Sequence, residues 1–274
     1  MSDTLDVTIL GCGSSSGVPR VGGPDGAGDW GACDPANPKN RRRRCSILAR
    51  RKSAGGETAV LVDTAPDLRE QLLSARCGRI DAALITHDHA DQTHGLDDLR
   101  AVAYGMRRRV DLYGDRATLE GLRHKFGYCF ETPPGSGYPP ILTAREIPEP
   151  FADSAVDGAG GAIPLRAFPQ THGSIRSLGF RLGPVAYSSD VNFLSEEAFA
   201  VLEGVDCWIV DALRPAPHPT HANVATALEW IARVKPRRAV LTNMHIDLDY
   251  ETLRRELPPG VEPAYDGMVI SLSV

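Results

Sequence analysis

No stretch of about 18 consecutive apolar residues occurs in this 274-residue chain, which argues against a membrane-spanning helix. The first residues, Met1-Ser2-Asp3-Thr4, lack the basic-then-apolar pattern of an export leader, so the chain reads as cytoplasmic. There is no basic excess either. With 30 Lys and Arg against 35 Asp and Glu the net charge is −5, so no field draws the protein onto anionic lipid or an extended nucleic acid. A small substrate fits that balance better, and a homodimer is left open. The six cysteines, Cys12, Cys33, Cys45, Cys77, Cys129 and Cys207, occur without a C-x-x-C spacing. That pattern excludes a disulfide framework and a structural zinc knuckle and leaves plain thiols, free cysteine being commonly buried. No internal repeat and no long disordered linker interrupts the chain. With 42% hydrophobic and 24% charged residues, a single domain over residues 1–274 is expected.

What is present is a succession of short apolar runs, each ending in a loop. Val7-Thr8-Ile9-Leu10 reads as a strand that stops at Gly11-Cys12-Gly13-Ser14-Ser15-Ser16-Gly17, a loop that either approaches a ligand closely or simply turns tightly. The basic cluster Arg41 to Arg44 precedes another strand, Ser46-Ile47-Leu48-Ala49. A solvated face is expected for these arginines, with a phosphate-gripping fork as the alternative. Ala59-Val60-Leu61-Val62 ends at Asp63, and Thr64 is placed to cap a helix opened by Pro66, with Leu68 and Leu72 on its buried face. Ala82-Ala83-Leu84-Ile85 runs into a histidine cluster, followed by a helical stripe of Leu96, Leu99, Ala103 and Met106. Residues 131–161 are dense in proline and glycine and read either as a lid or substrate-facing loop or as a disordered insertion. Strands resume at 163–168, 178–182, 185–187 and 207–210. A helix then carries Val224, Leu228 and Ile231 on one face, and Ala239-Val240-Leu241-Thr242 follows as a strand.

The decisive segment is Thr86-His87-Asp88-His89-Ala90-Asp91-Gln92-Thr93-His94-Gly95, which gathers three imidazoles and two carboxylates within eight residues at the carboxyl end of an apolar strand. Such crowding is costly unless a cation binds it, because carboxylates repel and buried imidazoles want partners. A divalent ion satisfies both. His87 and His89, at alternating positions of an extended segment, point to one side and can reach one ion at about 2.0–2.1 Å.

This segment resembles the H-x-H-x-D-H signature of the metallo-β-lactamase superfamily, which implies an α/β fold: an αββα sandwich of two mixed sheets flanked by helices. The resemblance makes His172, in Gln170-Thr171-His172-Gly173, the third histidine of the first metal. It makes Asp190, in Tyr187-Ser188-Ser189-Asp190, the carboxylate bridging two metals, and Asp63 the residue that braces the ligand loops. Leu10 to Pro19, Val62 to Arg69, Pro217-His218-Pro219-Thr220-His221-Ala222-Asn223 and Ala264-Tyr265-Asp266-Gly267-Met268 resemble the branch containing phosphoribosyl 1,2-cyclic phosphate phosphodiesterase. In that branch His221 matches a histidine that is not a ligand and serves the phosphoester as acid or binder. The bland alternative is that His221 merely opens the helix beginning near Asn223.

The pattern breaks at two places. Gln92 stands where the signature has its last histidine, and Asn243 where these phosphodiesterases have their C-terminal one; amides are poor zinc ligands. A histidine follows two residues after each gap, at His94 and His245. Three readings stay open: His94 and His245 join Asp91 and Asp190 around a second ion; Gln92 and Asn243 offer amide oxygens to a harder ion such as manganese; or only one zinc or manganese ion binds. The activity implied is metal-dependent hydrolysis of a small cyclic phosphoribosyl or nucleotide phosphodiester. Asp91 orients the water, His221 donates the proton, and Ser14, Arg20 and His218 face the substrate. The alternatives are an RNA or cyclic-nucleotide phosphodiesterase and a catalytically weakened metal- or nucleotide-binding protein.

Overall fold

The computed structural model describes residues 3–149 and 151–274. Contact density divides the chain into two compact units. The first comprises the residues up to Leu10, Ser46–Pro164 and Val269–Val274; the second comprises Gly11–Cys45 and Leu165–Met268.

The first unit carries strands β1 (Thr4–Gly11), β2 (Ser46–Ser53), β3 (Gly56–Val62), β4 (Ala82–Leu84), β5 (Val110–Gly114) and β6 (Leu142–Glu146), with β14 (Val269–Ser273) from the far end of the chain. They form one sheet in the order β14-β1-β2-β3-β4-β5-β6. It is mixed: β2 and β3 run antiparallel, while β3, β4, β5 and β6 are parallel neighbours. Parallel strands are covered on both faces, which is why β3 and β4 stand out as unbroken apolar runs. Ala59, Val60, Leu61 and Val62 are all buried, as are Ala82, Ala83 and Leu84. Helices α1 (Leu68–Ser74), α3 (Leu99–Met106) and α4 (Arg116–Phe130) supply the rest of this core, in which Leu68, Leu99 and Leu122 meet Leu61, Ile85 and Leu112, and a short helix α2 (Ala90–Thr93) precedes α3.

The second sheet runs β13-β12-β11-β10-β9-β8-β7, from Val261–Pro263 (β13) through Arg238–Thr242 (β12), Cys207–Asp211 (β11), Val185–Ser188 (β10), Ile175–Leu182 (β9) and Ile163–His172 (β8) to Ser154–Val156 (β7). Strands β10 to β13 are parallel and β8 to β10 antiparallel, so this sheet is mixed as well. Helices α5 (Glu196–Leu202), α6 (Val224–Val234) and α7 (Tyr250–Glu256) begin with Ser195, Asn223 and Asp249, each of whose side chains accepts a backbone N–H of the first turn.

Three expectations are corrected. Thr64 does not cap α1, whose N-cap is Asp67; the Thr64 hydroxyl instead donates to the carbonyls of Gln92 and Thr93, tying the β3 loop to the histidine segment. Residues 131–161, Pro150 lying outside the described residues, are not a wholly disordered insertion, since β6 and β7 are built from them. The arginine cluster is not one solvated face. Arg42 is 1% exposed and donates to the carbonyls of Leu248 at 2.6 Å and His245 at 3.3 Å, pinning residues 40–42 to the loop after β12. All six cysteines are free, as expected, and burial raises the pKa of every one of them. Among the described residues no helix is long and apolar enough to cross a membrane.

Candidate metal centre

In the first unit the histidine segment leaves the end of β4 through a relay of hydrogen bonds. Asp63, directly after β3, is fully buried and adopts the left-handed conformation with φ 62°. Its Oδ1 accepts from the Thr86 amide at 2.9 Å and from the Thr86 hydroxyl at 3.0 Å. The Thr86 proton is committed to that carboxylate, so the hydroxyl lone pair, 3.0 Å from His87 Nδ1, accepts the imidazole proton. Nε2 of His87 is therefore the lone-pair nitrogen, the tautomer a metal ligand requires. His89 is exposed, and its ring lies edge-on to His87 with centroids 4.5 Å apart.

Beyond His89, helix α2 carries Asp91 half-buried in its first turn, where Gln92 Nε2 donates to Asp91 Oδ2 at 3.3 Å. Gln92 is fully buried, so it fills space and steers Asp91. His94 ends the helix exposed, its ring edge-on to Phe126 at 5.7 Å and outside the ligand groups found among the described residues. Gly95 is fixed by space: a Cβ there would stand 2.0 Å from the Ala65 carbonyl oxygen.

In the second unit the chemistry again gathers at the carboxyl ends of parallel strands. Asp190 follows β10 with φ 52°, Asp211 ends β11, and Asn243 follows β12 with φ 61°. Non-glycine residues in this region carry strain, which tertiary contacts must over-determine. Here they do: Ser177 Oγ donates to the Asp190 carbonyl at 2.8 Å, and Val191 N donates to Asp211 Oδ2 at 3.1 Å. His172, Asp190 and His221 offer ligand atoms that all lie within 4.8 Å of one another. His172 Nε2 is 4.0 Å from Asp190 Oδ1, and the His172 and His221 ring centroids are 4.7 Å apart.

Each of these rings is held from behind. His172 Nδ1 donates to the Thr220 carbonyl at 2.7 Å, and His221 Nδ1 donates to Asp211 Oδ2 at 2.9 Å. Burial pushes the Asp211 carboxyl above its ordinary range, and the His221 pair and the other donors only partly offset it. Asn243 Nδ2 lies 3.2 Å from His221 Nδ1, so its side-chain amide faces this pair. Asp211 was missed by the sequence reading, although an acid closing a buried apolar strand is the same signal that marked Asp63.

The remaining residues lie around this group. His218 sits with its ring 5.1 Å from His221 and its Nδ1 3.2 Å from the Thr220 hydroxyl; burial, with His221, Arg214 and His245 nearby, lowers its pKa. His245 is engaged elsewhere. Its Nδ1 pairs with Asp247 at 2.8 Å, and its Nε2 is 3.4 Å from Arg20, which also pairs with Asp29 at 2.7 Å. Among the described residues, then, neither His94 nor His245 joins a ligand group. Ser14 is 5% exposed, with an Oγ that meets no hydrogen-bond partner. Asn223 caps α6, so His221 is not needed to open that helix.

A family model described as the Beta-lactamase superfamily domain matches residues 58–246. Among solved structures, a diphosphatase of the PhnP family is 31% identical with a TM-score of 0.85, covering 99% of this chain and 98% of that one. An octanoyltransferase of Porphyromonas gingivalis is 30% identical over 266 residues, 95% of this chain and 50% of that protein. Ribonuclease J of Thermus thermophilus is 30% identical over 182 residues, 60% of this chain and 30% of that protein. The chain therefore spans half or less of the length of these two relatives.

Proposed function

The chain belongs to the metallo-β-lactamase superfamily, in the branch of the PhnP-family diphosphatase, and from that premise we propose that it is a metal-dependent phosphodiesterase acting on a small phosphate diester or diphosphate. One observation carries the reading: in each unit, largely buried imidazoles have Nδ1 held by a protein acceptor, His87 by Thr86, His172 by Thr220 and His221 by Asp211. Holding Nδ1 presents Nε2 as a lone pair, the arrangement that surrounds metal-ligating histidines. The donor set of imidazole and carboxylate fits zinc or manganese, one ion or two.

In this reading His87, His89 and Asp91 of the first unit, and His172 and Asp190 of the second, would serve as metal ligands. A bound divalent ion supplies Lewis acidity, activating water and withdrawing charge from phosphoryl oxygens. Asp91, steered by Gln92, orients the attacking water. Asp63 keeps the histidine segment in place through Thr86. Arg20, half-exposed beside His245, offers a guanidinium for a substrate phosphate. A phosphate-directed activity is supported by two relatives whose names are a diphosphatase and a ribonuclease. A small substrate is favoured over RNA by the net charge of −5.

The test is a substrate panel with zinc- or manganese-loaded protein: bis(p-nitrophenyl) phosphate, a ribose cyclic phosphate, a nucleoside diphosphate ester, a short RNA and an octanoyl thioester. Hydrolysis of the first three that stops on chelation and returns with metal is expected. A loaded protein that cleaves only the thioester, or nothing, refutes the proposal.

A further inference from the structure

We propose that Lys125 is a positioning residue for the metal ligands of the first unit: by gripping Asp88 from helix α4, it sets the direction in which His89 presents its imidazole. The inference rests on the metal-dependent reading above and concerns the ligand histidine that burial does not hold.

His87 is 1% exposed, whereas His89 is exposed, so the aim of the His89 ring depends on the backbone that carries it. Both peptide groups flanking His89 are held. On its carboxyl side the His89 carbonyl accepts from the Thr93 hydroxyl at 2.7 Å and from the Gln92 amide at 3.1 Å. On its amino side the Asp88 carbonyl accepts from Lys125 Nζ at 2.6 Å, and the same ammonium donates to Asp88 Oδ2 at 2.8 Å. Hydrogen bonds from a charged donor are the stronger kind, and here one side chain clamps both the main chain and the carboxylate of the residue before His89. Held from both sides, His89 keeps an extended backbone, with φ −66° and ψ 154°.

Gly121 supports the same assignment. It lies four residues before Lys125, on the same face of α4. A Cβ at Gly121 would stand 2.3 Å from Asp88 Oδ2 and 3.1 Å from Asp88 Cγ, so a larger residue would drive the carboxylate away from Lys125. Glycine is disfavoured inside a helix, and this close approach accounts for it. At the far end of the segment Phe126, where α4 breaks with φ −130°, lies edge-on to His94. Helix α4 thus splints the histidine segment at both ends. The Lys125 and Asp88 side chains are 37% and 35% exposed, and an ion pair so exposed contributes little to stability, which leaves placement as its effect.

The experiment is a cobalt(II) titration of metal-free protein against a competing chelator, reading affinity and the visible d–d absorption, with thermal melting of the metal-free protein alongside. It compares the parent, Lys125→Met and, as a control at an exposed position of the same helix, Glu120→Gln. Expected in Lys125→Met is an affinity for one ion lower by about 10-fold, with shifted d–d bands. Its Tm should fall by no more than about 4 °C, as for the loss of an exposed ion pair. Glu120→Gln should match the parent. Parental affinity and unchanged bands in Lys125→Met overturn the proposal and leave the metal-dependent reading intact, as does an equal loss in Glu120→Gln or a larger fall in Tm, which marks a structural role. A parent that binds no cobalt refutes the metal-dependent reading instead. Should Lys125→Met not fold, Lys125→Gln, shorter and uncharged, is read by the same criteria.

Discussion

Replacing Thr86 by valine isolates the relay from Asp63 to His87 without touching a proposed ligand. Thr86 is 1% exposed, and valine has nearly its shape, so no cavity opens. What is lost is the hydroxyl that donates to Asp63 at 3.0 Å and accepts from His87 Nδ1 at 3.0 Å, while the backbone bond from Thr86 N at 2.9 Å persists. A hydrogen bond to a charged group contributes about 1.5–3 kcal/mol, and the bond that the imidazole N–H makes to the hydroxyl contributes about 0.5–1.5 kcal/mol more. The methyl gained offsets under about 1 kcal/mol. The metal-free protein should therefore lose about 2–4 kcal/mol, a fall in Tm of roughly 5–12 °C for a chain of this size. With Nδ1 no longer held, either ring nitrogen of His87 can carry the proton, and metal affinity should drop about 10–100-fold. Calorimetry in excess chelator measures the first effect, and competition against a chromophoric chelator the second. Thr86→Ser, which keeps the hydroxyl, should restore both. A valine variant within about 0.5 kcal/mol of the parent and within twofold in affinity would refute the relay.

Three further outcomes follow from the geometry. Gly95→Ala must push its Cβ away from the Ala65 oxygen and Leu68 Cβ, at 2.0 and 2.7 Å, and should cost about 2–3 kcal/mol; an unchanged urea midpoint would show that the loop yields freely. Asp249 is held at a pKa of about 2: burial alone would raise it, but hydrogen bonds from Thr252, Asn40 and the Asp34 amide bring it down. Because this folded pKa is depressed, the stabilisation is complete above the unfolded value near 4 and is lost as pH falls towards 2. Screening at this half-buried site trims it to about 1–2 kcal/mol, and Asp249→Ala should remove it together with the pH dependence in that window, measured by acid titration of stability. Chelation of the metal-loaded protein should lower its Tm, since an ion present at about 100 times its Kd stabilises the folded state by about 2.7 kcal/mol; identical melting with and without zinc or manganese would contradict metal binding.

The residues legible from sequence alone were those whose signal is local. Parallel strands buried on both faces need uninterrupted apolar runs, so β3, β4, β11 and β12 announced themselves, and the acids and histidines directly after such runs marked the strand ends where chemistry collects. Strand β5, which alternates buried residues with Asp111 and Tyr113, and helix α4, whose weak apolar periodicity breaks at Phe126, carried no comparable pattern. Only the tertiary structure decided what the side chains face. Histidines two residues beyond Gln92 and Asn243 looked like replacements, but His94 lies on Phe126 and His245 pairs with Asp247 and Arg20. The partners that select a nitrogen on His172 and His221 are a carbonyl 48 residues away and a carboxylate 10 residues away, brought close by loops at the ends of separate strands. Strand formation depends on burial, which is written residue by residue along the chain. The direction of a hydrogen bond depends on where two distant loops meet, and no local pattern encodes that.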